Sequence, residues 1–159
     1  MSDSKLREHL RKVLHWEDAH VDFDGAVEKI APEKRGQSPA DIPFSPWQLL
    51  EHLRLTQHDI LDFCRNPHYK EMAWPKEYWP ESPAPPSAAA WDQSVAQYQR
   101  DREDLVRLAA DTSIDLFATI PHGNGQTYLR EILLVADHNA YHVGQLILVR
   151  RGLGIWPAK

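Results

Sequence analysis

Residues 127–152 read TYLREILLVADHNAYHVGQLILVRRG. Leu129, Ile132, Leu133, Ala136, Ala140, Val143, Leu146 and Ile147 recur at three- and four-residue spacing, the period of an amphipathic helix. The stretch predicts a helix that starts at Thr127 and stops at Gly152, a C-terminal cap following Arg150 and Arg151. At about 25 residues it spans roughly 37 Å. Upstream, Trp91, Val95, Tyr98, Leu105 and Leu108 keep the same spacing from a Ser87 cap to about Ala110. Ser45-Pro46 opens another helix, with Trp47, Leu49, Leu50, Leu53, Ile60, Leu61 and Phe63 apolar, which runs to Arg65 and is ended by Asn66-Pro67. A first helix over 4–15 carries Leu6, Leu10, Val13 and Leu14; Trp16 to His20 interrupt it, and Asp22 caps a short second piece bearing Phe23, Val27 and Ile30.

The connections are irregular. Residues 32–46 are rich in proline, and residues 111–126 include the Gly123-Asn124-Gly125 turn. Residues 68–86 hold five prolines together with Tyr69, Trp74, Tyr78 and Trp79. Structureless loops of this length are uncommon inside a domain, so this one reads as a cover over a bundle end or a pocket. No repeat and almost no strand-like alternation occurs. The expectation is an all-α, four-helix bundle with an interrupted first helix and a long Pro/Trp-rich loop between helices two and three, forming one domain over 1–159.

Composition narrows the function. A chain of 159 residues that is 42% hydrophobic and 26% charged is one globular domain with a core large enough to need no staple. Its net charge of -5 comes without a run of five like charges, which disfavours a nucleic-acid surface. No stretch of about 18 uninterrupted apolar residues and no signal-like start is present, so a cytoplasmic protein without a membrane anchor is expected. A single cysteine, Cys64, excludes an internal disulfide and a Cys-rich zinc ribbon, and reads as a small buried hydrophobe. Nine histidines stand out.

Two of them, His138 and His142, lie four apart in the last helix, which sets their imidazoles on one face about 6 Å apart at Cβ. A third metal ligand has to come from another helix: His52, mid-helix among core-facing residues, is the first candidate and His58 the second. Two adjacent buried imidazoles are costly without a shared cation. Asn139 stands where a zincin needs Glu, and no phosphate-binding glycine loop exists. Three imidazoles leave a coordination position open for a Lewis-acid role on water, thiol or substrate; zinc is the first choice, with nickel, copper and iron able to use the same ligands. Asp59, seven residues after His52, and Glu131 and Gln145, seven either side of His138, fall near the metal face and are candidates to orient an imidazole or move a proton. Tyr141 and His122 are further pocket candidates. Glu51 and Asp137 point about 100° away and read as exposed charge.

The segment SPWQLLEHLRL (45–55), together with IPHGNGQT (120–127) and ADHNAYHVGQ (136–145), resembles the DinB/YfiT-like superfamily along essentially the whole chain, least over the first helix. The resemblance implies a four-helix bundle, often a homodimer, in which His52, His138 and His142 hold a divalent ion such as nickel or zinc. Some relatives are S-transferases or isomerases that use a low-molecular-weight thiol. The reading carried forward is a metal-dependent enzyme acting on a small-molecule electrophile, by thiol transfer or hydrolase-like chemistry, with Glu131, Asp59 and Tyr141 as candidate catalytic residues. The alternatives are a non-catalytic metal-binding or stress-response module, and a bundle with purely structural histidines.

Overall fold

A computed structural model describes residues 2–15 and 18–156. Five α-helices follow one another: α1 (Ser2–Val13), α2 (Phe23–Val27), α3 (Pro46–Arg65), α4 (Ala88–Ala110) and α5 (Tyr128–Gly152), with one 3-10 turn at Pro32–Lys34. Among the described residues no strand forms; Thr119 and Thr127 make a lone antiparallel bridge. α3 packs along both α4 and α5, α1 closes the bundle against α4, and α2 lies on α5. The interrupted first helix is thus α1 and α2. Of the break between them, Trp16 and Glu17 lie outside the described residues.

Caps form where short polar side chains precede apolar runs. Asp22 accepts from the Gly25 amide, Ser45 forms a reciprocal box with Gln48, and Ser87 and Thr127 accept from Ala90 and Arg130 amides. Three boundaries differ from expectation. Thr127 is the cap of α5 and not its first residue. Gly152 is the last residue inside α5, where a Cβ would stand 2.7 Å from Pro39 Cγ, and the left-handed residue after the helix is Gly154 at φ 69°. α2 ends at Val27, because Glu28 is extended and Lys29 is left-handed, yet Ile30 still enters the core.

Two buried arginines tie the connections down. Arg7 donates to the carbonyls of Ala109, Asp111 and Ile114, which finishes the C-terminus of α4 and pins the segment after it. Arg150, expected simply as a cation in the last turn, is buried and donates to the carbonyls of Gly25 and Ala26 at the end of α2.

The apolar core falls into two clusters. One joins Phe23, Leu49, Leu50, Leu53, Tyr98, Val143 and Leu146; the other joins Leu10, Leu61, Leu105, Leu108, Ile132 and Val135. Along α3 they are separated by Thr56 and Gln57, along α4 by Asp101 and Arg102, and along α5 by His138, Asn139 and His142. A polar belt therefore crosses the middle of the bundle. By length and composition α5 is apolar enough to cross a membrane, with a mean hydropathy of 1.2. Here one side of it supplies core residues to both clusters.

Candidate metal site

The belt brings His52, His138 and His142 together with one ring nitrogen of each within 4.8 Å of the others. His52 Nε2 lies 3.2 Å from His142 Nε2 and 3.2 Å from His138 Nε2. Tetrahedral ligands at zinc–nitrogen distances of 2.0–2.1 Å stand about 3.3 Å apart, so the spacing suits one shared cation. Each outer nitrogen has its own oxygen. His52 Nδ1 donates to the Tyr78 carbonyl at 2.8 Å, and His142 Nδ1 to Gln145 Oε1 at 2.7 Å. His138 Nδ1 faces Thr56 Oγ1 at 3.4 Å, and that hydroxyl spends its proton on the His52 carbonyl. With the protons on Nδ1, three Nε2 lone pairs face one another, an arrangement a cation resolves and a proton-free cluster does not.

Burial reinforces this state. His52 is 2% exposed, and loss of hydration pushes its pKa down to about 4 against the pull of the Tyr78 carbonyl. His138 is pushed to about 4 by burial and then by the neighbouring His142 and His52, and burial lowers His142 as well. The imidazoles are neutral at pH 7 and need lose no proton to act as ligands.

Residues of the loop 68–86 lie against this cluster. Trp79 stacks flat on His52 at 3.8 Å between centroids and on its far side meets Phe44 at 4.7 Å. Trp74 stands 6.5 Å from His52, largely exposed. The loop is latched to α3 because Tyr69 and Tyr78 hydroxyls donate to the two carboxylate oxygens of Asp59 at 2.9 and 2.8 Å. Its far end is held by the Ser45 hydroxyl, which donates to the Pro83 carbonyl.

Of the other candidates, Asp59 touches no imidazole; it holds Tyr78, whose carbonyl holds His52. Glu131 is buried and paired with Arg130, and Asp59, Glu131 and His122 line a polar cavity of about 410 Å³. Seven residues along a helix set the backbones of Asp59 and Glu131 about 10 Å along the axis from those of His52 and His138. Tyr141 is 64% exposed with its ring edge against His142 at 4.9 Å. His58 pairs with Asp101 and lies outside the cluster. Glu51, expected to be exposed, is buried in an ion pair with Arg54. Cys64 is buried and its thiol pushed up to about 12, so it is unreactive.

Sequence reasoning missed the partners of the belt. Gln57 donates to the Tyr98 carbonyl and accepts from Asn139, and Thr56 serves His138. Their signal was available: polar residues four and five positions after His52, on a helix face that is otherwise apolar.

No curated protein and no solved structure matches this sequence. The family comparison is positive, the DinB superfamily matching residues 15–146. The chain, an all-helical bundle with three converging histidines, belongs to the DinB superfamily.

Proposed function

We propose that this chain binds one divalent cation, zinc or nickel, through Nε2 of His52, His138 and His142, and is an enzyme acting on a small electrophile with a low-molecular-weight thiol or water as nucleophile. The observation that carries the reading is the set of three Nε2 atoms facing one another with every Nδ1 turned to an oxygen. When bound, such a cation supplies Lewis acidity. The residues around it orient and shield. Tyr78, Gln145 and Thr56 fix the ring tautomers, Trp79 keeps water from one face of His52, and Asp59 holds the loop that brings Tyr78 and Trp79 into place. Tyr141, exposed with its ring beside His142, is the candidate catalytic side chain on the open flank of the cluster. A module that binds the ion without turnover is the second reading, favoured by the engagement of both carboxylates elsewhere, Asp59 with the Tyr69 and Tyr78 hydroxyls and Glu131 with Arg130.

Elemental analysis of untagged protein and of the His52→Ala, His138→Ala and His142→Ala variants tests the site. Near one ion per chain, lost in each variant, supports it; no ion after reconstitution with zinc or nickel refutes it. Thiol-dependent turnover of an electrophilic probe, abolished by His142→Ala, separates enzyme from module.

A further inference from the structure

Outside the histidine cluster, the cavity of about 410 Å³ lies between α3, α5, the start of the loop 68–86 and the turn before α5. Its lining accepts hydrogen bonds and offers few. Three carboxylates, Asp59, Glu71 and Glu131, line it with a single permanent cation, Arg130. The Tyr69 hydroxyl on its wall already spends its proton on Asp59. His122 Nε2 meets the Phe63 carbonyl at 2.8 Å; a carbonyl only accepts, so Nε2 holds the proton and the neutral ring presents Nδ1 as a further acceptor. Glu131 is the group left wanting. It is 3% exposed, Arg130 occupies its Oε1, and Oε2 receives no hydrogen bond from any described residue. A nearly buried carboxylate with one oxygen unengaged is costly, and a charged donor entering the cavity removes that cost.

We infer that this cavity binds the ammonium group of an alkylamine, with Glu131 Oε2 as its principal acceptor. Charge selects the ligand, because a cleft with three carboxylates against one guanidinium attracts a cation and repels an anion. The aromatic walls agree. Tyr69 and His122 stand edge to face with Phe63, centroids 5.1 and 5.3 Å away, and such rings suit both an ammonium and the methylenes beside it. A metal ion suits the cavity less well. Both Asp59 oxygens accept tyrosine hydroxyls, and among the described residues three metal-ligand atoms converge only at the histidine cluster. The inference uses none of the three clustered histidines and does not depend on their binding a metal.

Calorimetric titration of the full chain with 1,4-diaminobutane, in about 0.15 M salt to screen distant surface charge, tests it. Saturable binding of one amine per chain is expected, and none of succinate, a dianion of the same chain length. Amide shifts at Gly123 and Asn124, on the cavity wall, should locate the bound amine. Glu131→Gln should raise Kd about tenfold or more with unchanged circular dichroism. Arg130→Gln removes the competing guanidinium and frees Oε1, so it should lower Kd. Glu33→Gln, the same change of charge on an exposed turn, should leave Kd within about twofold. Were Glu131→Gln not to fold, Arg130→Gln and the preference for the amine over succinate still decide. No saturable binding, a preference for succinate, weaker amine binding in Arg130→Gln, or equal losses in Glu33→Gln and Glu131→Gln would each overturn the proposal.

Discussion

Metal affinity should barely depend on pH between 7.5 and 5.5. Three ordinary imidazoles with pKa values near 6.5 would be about 90% protonated at pH 5.5, and each would weaken metal binding about tenfold relative to pH 7.5, about 1000-fold together. In this fold burial holds His52 and His138 down to about 4, so at pH 5.5 each is only about 3% protonated and contributes almost nothing. His142 is lowered too, which leaves the total change below about tenfold. Competition with a chromophoric chelator of known proton affinity, in a non-coordinating buffer, reads the Kd at each pH, with circular dichroism confirming the fold. Calorimetry in two buffers of different ionisation enthalpy gives a second readout. Ordinary imidazoles would release about two protons per ion at pH 6, this cluster fewer than one. A Kd that rises about 1000-fold, or a release of two protons, would refute the argument that burial keeps these ligands neutral.

The same depression makes the metal-free protein acid-sensitive. The unfolded chain takes up these protons below about pH 6.5 and the folded chain only near 4, so stability is held above 6.5 and falls between 6.5 and 4, on the order of 2 kcal/mol per pH unit, read from urea midpoints. Gln145→Leu removes the acceptor of His142 Nδ1 and should weaken metal binding about 10- to 100-fold with the fold intact, measured by the same chelator competition. Asp59→Ala frees both tyrosine hydroxyls and should speed tryptic cleavage at Lys70 and Lys76 while leaving helix content unchanged; cleavage at the wild-type rate would mean the latch holds nothing. Arg7→Met strips three carbonyls of a buried cationic donor and should cost about 3 kcal/mol, a fall in Tm of roughly 6–12 °C by calorimetry.

The bundle was legible because its helices are written in local terms. Apolar spacing and a polar cap decide each one, and Ser45, Ser87 and Asp22 cap where their positions implied. The cluster was legible because two ligands share one helix and the third, His52, sits at a core-facing position. What connects them was not. The partner of His52 Nδ1 is a backbone carbonyl 26 residues away, and no side-chain pattern marks a carbonyl. Asp59 shows the limit in another way. Helical spacing brought it near the histidine face, but its role depends on where a proline-rich loop returns, and that is settled by Trp79 stacking between Phe44 and His52. Glu51 was misjudged because exposure was inferred from its angle to His52 alone, whereas α4 packs against that side of α3.

The polar belt bears on why the site exists. Two apolar clusters of one bundle would gain stability by merging, and a layer of leucines at 52, 56, 57, 138, 139 and 142 would merge them. Instead the chain places three imidazoles there, two buried and His138 half-buried, satisfies Gln57 at both ends, and leaves Asn139 Oδ1 and Arg102 Nε with no hydrogen-bond partner among the described residues. Nothing in the packing requires this. Neighbouring imidazoles whose inner nitrogens carry no proton repel one another, and a cation accepting three lone pairs at once reverses the sign. The loop adds to the same case. It carries an aromatic ring onto His52 and a carbonyl onto its outer nitrogen, fixing one tautomer in advance of binding. Preorganising a donor set in the middle of a core, at the expense of that core, is the behaviour of a binding site and not of a scaffold.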